Sequence, residues 1–179
     1  MVRKVILNIG DVHVSRRPEI IQTVLGSCVS VCLWDENLHI GGMNHFMVPQ
    51  ILKDMKQPGC CGPESITRLV AIITKMGAEV RSLKAKLFGG GRIIKEFRQH
   101  LDVGRENTKI AKEILRCYQI PIIKELTGTD YGIKVVFYTA TGRAFVNKLD
   151  TRRSLMKRKE YSSGNAVYST FLRPGKVAI

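Results

Sequence analysis

The chain has 179 residues, of which 44% are hydrophobic, and its 29 Lys and Arg exceed its 15 Asp and Glu to give a formal net charge of +14. This length and hydrophobic content favour one domain with a substantial core, and no apolar run is long enough to predict membrane insertion. The five cysteines follow no disulfide-framework spacing and the N-terminus has no signal-peptide pattern, so we expect a soluble cytoplasmic protein.

Two strands are predicted in the first 25 residues. Alternating apolar residues indicate strands at 2–9 and 19–25, with a short segment at 12–14 between them. The second strand carries Thr23 and leads into a Gly26–Ser27 turn. Thr23 is therefore expected to lie close to the residue after this turn, Cys28, without being its neighbour in sequence.

The stretch from Cys28 to His45 predicts two antiparallel strands. The apolar alternation after Cys28 indicates the first strand, and Trp34–Asn37 has the composition of a hairpin turn. The second strand runs from Ile40 through two glycines to His45. Pairing of these strands would bring Cys28 and His45 together.

Cys28, His45 and Thr23 have the side chains that an activated thiol requires. A free thiol has a pKa of about 8.5, and a neighbouring imidazole can remove its proton to leave a thiolate–imidazolium pair. Thr23 would orient the imidazole, whereas Asn44 would point to the opposite face of its strand. The N–H groups around Gly26, Ser27 and Cys28 would stabilise an oxyanion. A single cysteine or histidine is usually structural, so only the combination indicates catalysis.

The second half of the chain predicts two helices and four more strands. Pro63 opens an amphipathic helix that ends near Gly77, and Asn107 is interpreted as the cap of a second helix that ends before Pro121. The strands are predicted at 83–88, 122–126, 134–138 and 143–148. The predicted fold class is α+β: a single domain with two main helices packed on layered mixed β-sheet structure, as in cysteine hydrolases.

Two further features of this half bear on function. Gly89–Gly91 superficially suggests a phosphate-binding loop, but the P-loop spacing and its Lys-Ser/Thr pair are missing, so a close backbone approach explains these glycines as well. From Asp150 the composition becomes basic and polar, with an apolar patch at Val167–Leu172. We interpret residues 150–179 as a basic C-terminal extension of a domain formed by residues 1–149.

Several separated blocks of the sequence resemble one known family. LGSCVSVCLWD followed by GGMNHFMVP closely resembles the signature of CheD, the chemoreceptor glutamine deamidase family of bacterial and archaeal chemotaxis. The resemblance continues through KLFGGG at 86–91, DVGRENTKIAKEIL at 102–115, IPIIKELTGTDYG at 120–132 and ATGRAFVNKL at 140–149. It therefore covers the chain from its first residues to about Leu149.

This resemblance implies a protein-glutamine glutaminase that converts receptor glutamine side chains to glutamate. The family's nucleophile, general acid/base and orienting residue fall on Cys28, His45 and Thr23. A glutamyl thioester is the expected intermediate, no metal or organic cofactor is implied, and receptor methylesterase activity is a further expectation. The implied partners are the cytoplasmic helical region of chemoreceptors and the CheC phosphatase.

Three alternatives remain at this stage. The positive charge would suit a basic nucleic-acid-binding module, although no recognition motif is evident and nucleic acid is not the expected partner. A non-catalytic protein could use the same fold to bind receptors or CheC. A zinc site built from Cys28, Cys32 and His45 is disfavoured, because residues four apart in a strand are separated by about 13 Å.

Overall fold

Two β-sheets and two α-helices form three layers in the computed structural model, which describes residues 1–50, 59–92 and 102–149 and the backbone of residues 177–178. One sheet contains, in spatial order, β1 (Arg3–Ile6), β3 (Glu19–Leu25), β8 (Ile133–Tyr138), β9 (Ala144–Lys148) and β10 (Val177–Ala178). The other contains β2 (Val12–Ser15), β5 (Ile40–Asn44), β4 (Val29–Asp35), β6 (Leu83–Gly89) and β7 (Ile122–Thr127). We call them the outer and the central sheet.

Both helices, α1 (Gly62–Lys75) and α2 (Val103–Cys117), pack on the central sheet. The β1–β3 and β6–β7 pairs are parallel and the other pairs antiparallel, so both sheets are mixed. The α+β prediction of two helices on layered mixed sheets is therefore confirmed. No helix in the described ranges is long and apolar enough to cross a membrane.

The central sheet has an apolar core on each face because its strands alternate. Val29, Val31 and Leu33 of β4 belong to the core shared with the helices. Cys32 belongs to the core between the two sheets, against which Cys28 is packed. Successive side chains of a strand point to opposite faces of the sheet, which explains this division.

Helix α1 begins and ends close to the predicted positions. Pro63 lies in its first turn, where a missing N–H costs nothing, and Gly77 follows its end with a φ of +100°. Its buried side chains are spaced three and four residues apart and face the central sheet: Ile66, Leu69, Val70 and Ile73.

The predicted start of the second helix is wrong. Helix α2 begins at Val103, and the carboxylate of Asp102 caps it by accepting a hydrogen bond from the Arg105 N–H at 3.1 Å. Asn107 lies inside the helix and is fully buried. Its amide bonds carbonyl groups of other segments, so it is unavailable for capping.

Most predicted strands are confirmed within a residue or two, although the first is shorter than predicted and spans Arg3–Ile6. Most of the proposed C-terminal extension, including the 167–172 patch, lies outside the described residues. The backbone of Val177–Ala178 pairs antiparallel with β9. The boundary near residue 149 stays a prediction.

Candidate active site

The turn that carries Cys28 is held in place through its carbonyl groups. Cys28 is half-buried and directly precedes β4. Three successive carbonyl oxygens accept hydrogen bonds: Gly26 from the Gly91 N–H at 2.7 Å, Ser27 from Asn107 Nδ2 at 3.0 Å and Cys28 from the Gly90 N–H at 2.8 Å. The N–H groups of Ser27 and Cys28 make no backbone–backbone hydrogen bond within the described residues.

The glycines after β6 permit this close approach. Gly89 has a φ of +105°, and a Cβ atom there would lie 2.1 Å from the Cys28 carbonyl oxygen. A Cβ on Gly90, whose φ is +61°, would lie 2.1 Å from Thr108 Oγ1. The run of glycines thus allows close contact with the Cys28 turn, which is the explanation favoured over a phosphate loop.

His45 lies on the same face of the central sheet as Cys28. Val29 and Phe46 exchange two backbone hydrogen bonds of 3.0 Å each, which extends the β4–β5 pairing to the residues that flank Cys28 and His45. In this register Cys28 and His45 are diagonal cross-strand neighbours, for which the Cα–Cα separation is about 7–8 Å. The predicted pairing of the two strands therefore brings the thiol and the imidazole onto one surface.

Thr23 determines which nitrogen of His45 carries a proton. Thr23 Oγ1 lies 2.8 Å from His45 Nδ1 and donates its hydrogen to the Leu7 carbonyl oxygen at 2.9 Å. A hydroxyl has one proton, so Thr23 accepts from an Nδ1–H while it donates to Leu7. The neutral ring then has its lone pair on Nε2, which is buried and has no hydrogen-bond partner among the described residues.

Burial disfavours the charged forms of both Cys28 and His45. Burial raises the pKa of the Cys28 thiol, although its own backbone N–H partly offsets this. Burial also lowers the pKa of His45, against the opposing effects of the Leu7 carbonyl and the Asp11 carboxylate. The structure thus favours a neutral thiol and a neutral imidazole over the standing ion pair expected from sequence.

Asn107 is a residue of the site that the sequence analysis misread. Its Nδ2 donates to the Ser27 carbonyl at 3.0 Å and to the Met47 carbonyl at 2.8 Å. It therefore ties the segment before Cys28 to the segment after His45. The sequence does indicate its burial, because Asn107 is spaced three or four residues from Gly104 and Ala111 on the face of α2 that is buried.

Asn44 faces the helices, as its strand position predicts. Its Oδ1 accepts from the Val31 N–H at 2.7 Å and its Nδ2 donates to Ser65 Oγ at 3.0 Å. Both partners lie away from Thr23 and His45. Asn44 therefore cannot orient the imidazole.

Two concave surfaces lie near these residues. A cavity of about 590 Å³ is lined by the 6–9 segment, by Gln22, Thr23 and Val24, and by His45 and Lys134. A larger groove of about 650 Å³ between α2 and β7 contains none of Cys28, His45 and Thr23. Thr23 and His45 line the smaller cavity, and Cys28 does not. We place the candidate active site at this cavity together with the Cys28 turn, which shares the sheet face of His45.

Within residues 1–50, 59–92 and 102–149, no group of three or more His, Cys, Asp or Glu is arranged to hold a metal ion. Cys32 is fully buried in the core between the sheets. The alternative of a zinc site on Cys28, Cys32 and His45 therefore gains no support from the geometry.

Comparison with known proteins places the chain in a family. A family model described as CheD chemotactic sensory transduction matches residues 47–148, beginning just after His45. The probable chemoreceptor glutamine deamidase CheD 1 of Anaeromyxobacter dehalogenans is 38% identical over 146 residues, which cover 82% of this chain and 85% of that protein. The corresponding CheD of Rhodospirillum rubrum is 37% identical over 150 residues, covering 83% and 84%.

Among solved structures, the chain is similar to the hypothetical protein YfiH of Bacillus licheniformis, with a TM-score of 0.42 and 13% identity over 67% of this chain and 51% of that one. This likeness is too weak to carry an argument. The family model, in contrast, matches more than half of the chain, and the two relatives are 38% and 37% identical over more than four fifths of it. On that basis the chain belongs to the CheD family.

Proposed function

We propose that this chain is a chemoreceptor glutamine deamidase, a protein-glutamine glutaminase in which Cys28 is the nucleophile, His45 the general acid/base and Thr23 the residue that orients His45. The observation that carries the proposal is the Thr23–His45 hydrogen bond of 2.8 Å. It leaves His45 Nε2 buried, with no partner among the described residues, on the face where Cys28 lies. The relatives named above are called probable chemoreceptor glutamine deamidases, which supports the same substrate class.

In the acylation step Cys28 Sγ attacks the carboxamide carbon of a glutamine side chain. His45 Nε2 takes the thiol proton as the carbon–sulfur bond forms, so no free thiolate is needed beforehand. The N–H groups of the Gly26–Ser27–Cys28 turn receive the developing oxyanion. The carbon–nitrogen bond then breaks, the imidazolium returns its proton to the departing ammonia, and a glutamyl thioester remains on Cys28.

In the deacylation step water attacks this thioester. His45 Nε2 accepts a proton from the water, the carbon–sulfur bond breaks, and the proton returns to the sulfur of Cys28. The net reaction converts the glutamine side chain and water to glutamate and ammonia. A glutamate methyl ester would follow the same route with methanol as leaving group, so receptor methylesterase activity is part of the proposal.

Glutamine hydrolysis through a thioester has a direct chemical test. Hydroxylamine should intercept the acyl group of a receptor cytoplasmic fragment incubated with the protein, yielding a hydroxamate at the target glutamine and free Cys28 thiol. Cys28→Ala should yield neither ammonia nor hydroxamate. Ammonia release by this variant at the wild-type rate would refute the assignment of the nucleophile.

One observation favours a second candidate, a non-catalytic protein that binds receptors or the CheC phosphatase. Burial disfavours charge on both Cys28 and His45, as it would in a site that has no reaction to perform. The hydrogen-bonded orientation of His45 argues against this candidate, because a purely structural imidazole would satisfy both nitrogens. CheC remains a proposed partner, and we expect it to slow deamidation by competing with the receptor fragment.

A further inference from the structure

Helix α2 presents a line of basic side chains beside the nucleophile turn. Arg105, Lys109, Lys112 and Arg116 are exposed and are spaced four, three and four residues apart, which places them on one face of the helix. At 1.5 Å per residue the line is about 16 Å long. All four line the groove of about 650 Å³ between α2 and β7.

The positive charge of this groove is only partly compensated. The groove is lined by five basic residues, the four on α2 and Arg92, but by two acidic ones, Glu113 and Glu125. Lys112 pairs with Glu125 at 2.8 Å and Arg92 pairs with Asp102 at 2.8 Å. Arg105, Lys109 and Arg116 make no salt bridge in the part of the chain that the structure describes.

One end of the groove borders the turn that carries Cys28. Gly90 lines it, and the Gly90 N–H donates to the Cys28 carbonyl at 2.8 Å. The same helix contributes Asn107, which bonds the Ser27 carbonyl from its buried face. A ligand lying along α2 would therefore reach the backbone of the turn that carries Cys28.

We propose that this groove docks an acidic helical segment of the protein substrate and so delivers a glutamine to Cys28. The proposal rests on the proposed function and adds the surface that selects the substrate. A helix that carries carboxylates at spacings of four, three and four residues matches the four cations one by one, as charged positions do across paired helices. An extended peptide would instead add to the exposed edge of β7, where the four cations have no matching period.

A charge-reversal pair tests the docking surface. The substrate is a helical peptide that carries one glutamine and has glutamates spaced four, three and four residues apart. Arg105→Glu with Lys109→Glu should raise the KM for this peptide about tenfold or more above that of the wild type, with kcat nearly unchanged. The matched control is Arg68→Glu with Lys75→Glu, which makes the same charge change at exposed positions of α1. The control pair should leave KM within about twofold of the wild-type value, because Arg68 and Lys75 make no salt bridge to the peptide in this proposal.

Reversing the charges of the peptide distinguishes direct contact with Arg105 and Lys109 from a general effect of the protein's net charge. A peptide with lysines in place of the facing glutamates should bind the reversed variant better than it binds the wild type. Placing a proline in the middle of the acidic peptide should weaken binding, because it breaks the helix. Equal KM shifts in both variant pairs, or tight binding of the proline peptide, would overturn the proposal.

Failure of the docking surface can be told apart from failure of the catalytic assignment. Binding is measured by fluorescence anisotropy on Cys28→Ala, with and without the reversal pair, and needs no turnover. Deamidation by the wild type with no effect of the reversal would refute the groove alone. Binding that depends on Arg105 and Lys109, without deamidation, would refute the catalytic proposal and retain the surface.

Discussion

Replacing Thr23 by valine removes one hydroxyl from the candidate active site and nearly nothing else. The hydroxyl makes two contacts, with His45 Nδ1 at 2.8 Å and with the Leu7 carbonyl at 2.9 Å, and Thr23 is 2% exposed. Valine has almost the same shape, so both partners would lose their hydrogen bond without a cavity forming. Thr23→Ser is the matched control, because it keeps the hydroxyl.

The expected magnitude follows from the two lost contacts. A buried polar group left without a partner costs about 1–3 kcal/mol, so two such groups would cost about 2–6 kcal/mol if neither met water. Thr23 and Leu7 both line the cavity of about 590 Å³, which admits water. We therefore expect a loss near the lower end, about 2 kcal/mol of unfolding free energy.

The catalytic effect of Thr23→Val should exceed what its stability loss explains. Without the Thr23 hydroxyl, only the Leu7 carbonyl remains, among the described residues, as an acceptor beside the ring. The proton of His45 is then held less firmly at Nδ1 and can move to Nε2, where it blocks the base. Loss of a charge-assisted hydrogen bond of about 1.5–3 kcal/mol corresponds to a roughly 10- to 100-fold lower kcat. KM should change little, because Thr23 need not touch the substrate to orient the ring.

Deamidation rates of the folded variants, together with the rate of Cys28 alkylation by iodoacetamide across pH, measure this effect. Thr23→Ser should stay within about threefold of the wild type in both assays, a change below 1 kcal/mol. A Thr23→Val protein that is folded, as judged by its thermal transition, and that deamidates at the wild-type rate would refute the orienting role.

Three further predictions concern Asn107, His45 and Glu19. Asn107→Ala should lower kcat and the alkylation rate of Cys28 by about tenfold or more, because it removes the hydrogen bonds that join the segments next to Cys28 and His45. A merely structural role of Asn107 would lower only the melting temperature. Burial lowers the pKa of His45. The deamidation rate should therefore stay level as pH falls past the usual histidine pKa of about 6.5 and should drop only at more acid pH. A drop in rate centred above about pH 6.5 would contradict this prediction. Burial raises the pKa of the Glu19 carboxyl, but the hydrogen bond and charge of His13 and the charge of Arg3 outweigh it, so the net pKa is lowered. Its stabilisation is present above the unfolded-state value of about 4.5 and is lost as pH falls through the lower folded-state value. The melting-temperature advantage over Glu19→Gln should therefore shrink as pH falls below about 4.5.

The sequence is informative about the site because its signals are local. Cys28 and His45 lie at the ends of two strands joined by a short turn, so the alternation alone predicts that they share a face. Thr23 precedes Cys28 by five residues in a strand that leads into the same turn. The two-sided alternation of β4 likewise indicates a strand buried on both faces.

Other features depend on contacts between distant residues. Asn107 bonds carbonyls 80 and 60 positions away in sequence, and no local pattern encodes such a bond. Asp102 and Asn107 both suit a helix cap by residue type, and only the packing of α2 decides between them. The division of strands into two sheets also escapes local patterns, because β1 pairs with β3 while β2, between them in sequence, pairs with β5.

The directions of the Cys28 and His45 pKa shifts favour proton transfer during the attack on the substrate over a thiolate that is formed beforehand. Many reactive cysteines are partly ionised before substrate binds, but burial of Cys28 and His45 favours the neutral pair. In the proposed mechanism the proton moves as the substrate is attacked. This arrangement would protect the thiol from adventitious oxidants, which react with the thiolate.

The most direct test is mass spectrometry of a chemoreceptor cytoplasmic fragment incubated with the wild type and, in parallel, with Cys28→Ala. A glutamine converted to glutamate gains about 1 Da, and peptide sequencing locates it. We predict conversion at defined glutamines by the wild type alone. Conversion by both proteins, or by neither while the fragment is bound, would contradict a Cys28-dependent deamidase.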